Sequence, residues 1–219
     1  MKRTLLATAV AATLFASAPA SAIVALVLNG PINGSDLGPQ STSNPCVIAA
    51  TQCQQPFGFG FNNFVQGGTS AIDAYSTNTT QALPDGLPGN PYTVAQLLSV
   101  VGQTFIVDID INTTSANTEV LQLFQVIING VVQFAFNGPA SVAPVFQNGN
   151  GFGDFSLGII NLAGFAPTDQ VLFRMVMTGL VDGGESAWLQ PVNTTPEPGT
   201  LALAGLALAG VGFTLKRRI

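Results

Sequence analysis

Two runs rich in β-forming residues, Glu119–Ile128 and Val131–Asn137, are separated only by Asn129-Gly130. Asn-Gly between such runs is the strongest short hairpin signal, because a type I′ turn needs positive φ at both central positions. A chain built around this hairpin is committed to β structure. With a two-residue turn, Ile127 faces Val132, Gln125 faces Phe134 and Leu123 faces Phe136. The face carrying Leu121, Leu123, Ile127, Val132, Phe134 and Phe136 is the expected core face.

Further strands follow from the same reading. Phe105, Val107, Ile109 and Ile111 alternate with Ile106, Asp108, Asp110 and Asn112, which gives one apolar and one mainly polar face. Asp154–Leu162, Gln170–Leu180 and Ala187–Val192 read as three more strands, and Val94–Val101 as a short helix. No long amphipathic helix appears between residues 23 and 195, so a parallel α/β fold lacks its crossovers. The expected architecture is all-β: a single antiparallel sandwich over residues 23–192, jelly-roll-like. Residues 29–91 are loop-rich, dominated by Gly, Pro, Asn, Gln, Ser and Thr. Within them Phe57, Phe59 and Phe61 fall on one face of a strand. They read either as a buried aromatic face or as a ledge for stacking on sugar rings.

Both ends of the chain read as addresses. Lys2 and Arg3 precede an uncharged apolar stretch from Thr4 to Ala16, and Ala20 and Ala22 form an A-x-A cleavage site. This is a signal peptide over residues 1–22, to be cut by signal peptidase after Ala22. At the other end, residues 193–198 form a linker containing Pro196-Glu197-Pro198. The 17 uncharged residues from Gly199 to Leu215 follow, and then Lys216, Arg217 and Arg218, with residues 216–219 as a basic tail. As a helix the run reaches about 25 Å, at the lower limit for spanning a bilayer. The basic triplet is a stop-transfer cluster that stays cytoplasmic.

Pro196-Glu197-Pro198, a Gly/Ala/Leu-rich span and an Arg-rich end together resemble the PEP-CTERM sorting signal. The resemblance covers residues 196–218. It implies an exported protein of a Gram-negative bacterium, held transiently in the inner membrane by residues 199–215. An exosortase would cut near the motif, and exopolysaccharide production usually accompanies such proteins. Proline disfavours helix for itself and for the residue before it. Pro196 and Pro198 would thus present Glu197 in an extended segment that a processing enzyme can grip.

Charge narrows the function classes. Only 8% of residues are charged, and there is no histidine. Between residues 23 and 195 the single base is Arg174, against ten acidic residues, for a net charge of −9. Nucleic-acid binding is excluded, because phosphate recognition needs a basic face. Ser-His-Asp and Cys-His catalysis and histidine-based zinc sites are excluded too. Arg174, flanked by Phe173 and Met175, is expected to pair with a carboxylate on the outer face of its strand.

Three constellations remain. Cys46 and Cys53, the only cysteines, are expected to form a disulfide in an exported protein. Asp108, Asp110, Asn112 and Glu119 fall at positions 1, 3, 5 and 12 of an EF-hand loop. Thr113 stands where that loop needs glycine, and strand precedes it where a helix is required. Asp108 and Asp110 therefore read as the solvent face of a strand, as part of a looser calcium site, or as paired carboxylates of a glycosidase. Asp182-Gly183-Gly184-Glu185 is a tight acidic turn beside Trp188. It reads as a plain turn before a core strand, or as a calcium or ligand corner.

The expected function is a non-enzymatic structural or adhesive protein of the cell surface or extracellular matrix, linked to exopolysaccharide or biofilm. A carbohydrate- or calcium-dependent binding module is the alternative, and a glycoside hydrolase using Asp108 and Asp110 the outsider. No cofactor is expected beyond calcium in the alternative reading.

Overall fold

A computed structural model describes residues 22–32, 37–64, 71–84, 86–113, 119–144, 151–180 and 185–192. Ala20, Asp182, the sorting motif, the apolar run 199–215 and the basic triplet lie outside the described residues. The strands in chain order are β1 (Val24–Ala25), β2 (Val27–Asn29), β3 (Cys46–Ala49), β4 (Asn62–Asn63), β5 (Ala71–Tyr75) and β6 (Tyr92–Thr93). Helix α1 (Val94–Val101) follows. Then come β7 (Thr104–Asp110), β8 (Glu119–Ile128), β9 (Val131–Val142), β10 (Phe155–Asn161), β11 (Gln170–Thr178) and β12 (Ser186–Pro191).

These strands form two sheets. The first runs β1-β9-β8-β11-β5, with β6 also beside β11; the second runs β2-β10-β7-β12-β3-β4. The all-β expectation holds. Pure antiparallel pairing does not: β1 runs parallel to β9, and β3 parallel to β4. Both exceptions involve two-residue strands at sheet edges, where a short segment can pair without a hairpin partner.

The core lies between the sheets. Phe105, Val107, Ile109 and Ile111 from the β7 region meet Phe124, Val126 and Ile128 of β8 and Phe173, Met175 and Met177 of β11. Phe173 is the hub of its aromatic contacts, with ring centroids 6.0 Å from Tyr92, 6.4 Å from Phe105 and 6.3 Å from Phe124. Helix α1 forms where expected. Thr93 caps it, accepting from the Gln96 amide while the Gln96 side chain accepts from the Thr93 amide. Its Val94, Leu97 and Val101 are buried.

The Asn129-Gly130 turn has φ of 50° and 77°, as type I′ geometry requires. Ile127 opposes Val132, as the turn dictates. Beyond that point the register departs from the simple hairpin. Val126 pairs with Phe134, Gln125 with Ala135 and Leu123 with Asn137. An irregularity after Val126 and another between Leu121 and Leu123 shift the pairing. Each shift moves side chains across the sheet. The buried face of β8 is Glu119, Leu121, Phe124, Val126 and Ile128, whereas Leu123 and Ile127 are only half-buried. Leu121 and Phe134 keep their expected core places. Phe136 packs against the core only in part, and Val132 stays half-exposed.

The phenylalanines of the glycine-rich segment separate instead of sharing a face. Phe59 stacks on Tyr92 at 4.7 Å in the main core. Phe61 joins Cys46, Ala49 and Trp188 in a second, smaller cluster. Phe57 is fully exposed on the turn closed by the Phe59 amide and the Pro56 carbonyl. Gly58 at φ 76° makes that turn, and the turn breaks the alternation a continuous strand would have kept.

Candidate functional site

Strand β7 lies inside the second sheet, and both of its faces are covered. Its core face is apolar, as read from the sequence. Of the three readings of Asp108 and Asp110, the solvent face does not hold: Asp108 is 0% and Asp110 3% exposed. The cover comes from loop-rich chain. Trp188 of β12 and Ser156 of β10 lie directly across from Asp108. Gly153 sits over the pair so closely that an added Cβ would stand 3.3 Å from Asp108 Cβ and 3.5 Å from Trp188 Cζ2. Composition showed the long connections but not where they lie down.

Burial pushes Asp108 up to about 7. The Trp188 indole beside it draws the value back somewhat, although neither group closes on the other at ordinary hydrogen-bond geometry. Asp110 is also pushed up to about 7, first by burial and then by the charge of Asp154. The Gly151 amide at 2.7 Å and the Asn112 side-chain amide at 3.0 Å both donate to its Oδ2 and oppose that rise. Asp154 Oδ2 accepts from the Ile111 amide at 2.8 Å, and so secures the chain just beyond β7.

Glu185 completes the acidic group. It stands just before β12, where Ala187 and Leu189 face the core, and it shares their parity. Glu119 opens β8 on the parity of Leu121. Both glutamates are 0% exposed. Burial, followed by the charge of Glu119, pushes Glu185 up to about 9, and Asp110 adds to the rise. Two sheets thus each contribute one carboxyl to the same buried spot. Glu119 was singled out in the sequence only as the twelfth position of an EF-hand-like loop. Strand parity is the signal that places it inside.

Among the described residues no three acidic, histidine or cysteine side chains stand together as a metal site. The EF-hand likeness fails as expected, since Asp108 and Asp110 belong to β7. Glu185 and Asp110 come together; Asp108 turns instead toward Trp188. A groove between Leu28, Pro31, Pro144 and Phe155 lies elsewhere, is mostly apolar, and includes none of these acids.

Other pairings and positions lie outside the acidic strand. Cys46 and Cys53 are disulfide-bonded. Arg174 makes a two-pronged ion pair with Asp73 across β11 and β5, at 2.8 and 2.7 Å. Its guanidinium also lies 5.1 Å from the centre of the Tyr75 ring. Ala22, the residue before the expected cleavage point, is exposed, and β1 begins at Val24. No helix among the described residues is long and apolar enough to cross a membrane.

No curated protein and no solved structure matches the chain. Residues 194–218 match the family model of the PEP-CTERM protein-sorting motif. The chain therefore carries the sorting signal of an exported protein that an exosortase processes.

Proposed function

We propose that this is a non-catalytic, jelly-roll-like sandwich with a structural or adhesive role at the cell surface or in the exopolysaccharide matrix of a Gram-negative bacterium. The sorting motif at residues 194–218 carries the proposal. The alternation of β9 to β12 between the two sheets supports the jelly-roll-like reading. Two features of the sandwich support the non-catalytic role. The carboxylate pair that a glycosidase would need, Asp108 and Asp110, is sealed from solvent. The single described base, Arg174, is already engaged by Asp73. Residues 1–22 direct export and are removed by signal peptidase. Residues 199–215 hold the chain in the inner membrane until the exosortase cuts near Pro196-Glu197-Pro198.

Intact-mass measurement of the protein recovered from outside the cells tests the processing. The expected mass lacks residues 1–22 and 199–219 and is about 2 Da below the reduced value because of the disulfide. A mass retaining residues 199–218 would sink the processing scheme. Matrix from cells without the gene tests the role: loss of cohesion, restored by the full chain but not by one ending at residue 193, is the expected result.

A further inference from the structure

Asn129 and Gly130 form the tip of the β8–β9 hairpin, and both are exposed. An asparagine before glycine is chemically labile in an open chain, because no side chain shields the glycine nitrogen from the asparagine carboxamide. The fold engages this carboxamide at both ends. Asn129 Nδ2 donates to Asp169 Oδ1 at 2.9 Å, and Asn129 Oδ1 accepts from the Gln170 amide at 2.9 Å. The Asn129 amide donates in turn to the Gln170 carbonyl at 2.9 Å. Asp169 is itself fixed. Its Oδ2 accepts from the Ala166 amide at 2.8 Å, and its own amide donates to the Ala166 carbonyl at 2.9 Å. The partners thus settle which end of the carboxamide is which, since a backbone amide only donates and a carboxylate only accepts. The bond to Asp169, 40 positions along the chain, is charge-assisted.

We propose that Asn129 is a latent deamidation site, held unreacted by Asp169 and Gln170 and released when their clamp opens. In the reaction the Gly130 nitrogen attacks Asn129 Cγ. The new Cγ–N bond replaces Cγ–Nδ2, and ammonia leaves carrying the former Gly130 amide proton. Water then opens the five-membered imide at one carbonyl or the other, leaving aspartate or isoaspartate at position 129. The clamp turns the carboxamide toward the start of β11, so Cγ must swing away from both partners before Gly130 reaches it. The change runs one way. Aspartate puts a carboxylate oxygen where Nδ2 had donated, against the Asp169 carboxylate. Isoaspartate also lengthens the main chain of a turn that has only two residues. Either product loosens the hairpin tip from β11.

Peptide mapping by mass spectrometry, on exported protein held at pH 8, tests the site in wild type and in Asp169→Ala. While both are folded, Asp169→Ala should gain the amide-to-acid mass at Asn129 several-fold faster. Once both are unfolded in urea, the two rates should be equal. Asp169→Asn, whose side-chain oxygen still accepts, should stay near wild type. The Cys46→Ala/Cys53→Ala variant, weakened in the second sheet, should also keep the wild-type rate, which separates the clamp from general loosening. If Asp169→Ala does not fold, wild type alone decides, and it should react far more slowly folded than in urea. Equal rates in folded wild type and folded Asp169→Ala, or in folded and urea-unfolded wild type, would overturn the proposal. So would a Cys46→Ala/Cys53→Ala rate as high as that of Asp169→Ala.

Discussion

At the residue scale, the buried polar groups divide into satisfied and unsatisfied. Tyr92 is satisfied. Its hydroxyl lies 2.7 Å from both the Gly60 and Thr77 carbonyls, and burial raises its pKa well above the usual value. It joins the glycine-rich segment to the chain after β5. Removing the hydroxyl leaves two buried carbonyls with one donor fewer, a loss of about 1–3 kcal/mol. Tyr92→Phe should lower stability by that amount in urea unfolding without changing the m-value. Among the acids, Asp108 has no partner at hydrogen-bond geometry, whereas Asp110 accepts from Gly151 and Asn112. Asp108 and Asp110, pushed up to about 7, and Glu185, pushed up to about 9, keep protons in the folded chain that the unfolded chain has released. Stability is therefore fullest below about pH 4 and falls as pH rises through 7 toward 9. Replacing Asp108 with Asn should raise Tm at pH 8 and flatten the lower part of that fall. A Tm that rises from pH 5 to pH 8 in wild type would contradict this.

At the element scale, strands β7 to β12 were legible because their signals are local, whereas the short strands β1 to β6 were not. The Asn129-Gly130 turn, the alternation over β7 and the capped helix α1 each rest on a few neighbouring residues. The register of β8 against β9 was not legible. The irregularities beside Gln122 and Val126 depend on three strands at once, since β11 also shifts between Val176 and Met177. Once Gln122 is out of step, its amide reaches Thr178 Oγ1 at 3.0 Å, and Phe124 replaces Leu123 in the core. The phenylalanine segment failed for a similar reason, because Pro56-Phe57-Gly58 turns where alternation assumes a straight strand. Close backbone approach governs these loops. A Cβ on Gly89 would stand 1.8 Å from the Ser76 carbonyl oxygen, and one on Gly60 2.3 Å from the Asn78 backbone. Gly89→Ala should cost about 1–3 kcal/mol, the usual range for forced overpacking, measurable as a lower denaturation midpoint. The disulfide closes a short loop, and by the chain-entropy relation its loss removes about 2–2.5 kcal/mol. Cys46→Ala with Cys53→Ala should show a fall of that size.

At the scale of the whole molecule, the sequence spoke most clearly about destination. Residues 194–218 match a sorting motif that is read along the chain, so it was legible without the fold. The acidic site is the reverse case. Asp110 lies on β7 and Glu185 stands before β12, far along the chain, and only the pairing of those strands brings them together. The sequence spacing that suggested calcium measured distance along one strand, whereas the structure sets the relevant distance across the sheet.

The N-terminal strands carry one more consequence. Val24 pairs with Phe134, and Leu28 with Leu157, so the first described strands find their neighbours more than a hundred positions later. Contacts of that separation form late and slowly. A polypeptide threaded across a membrane with its front end first would therefore arrive with both sheet edges open. Only once β10 had followed could the leading segment close both edges, so their sealing waits until nearly three-quarters of the chain has passed.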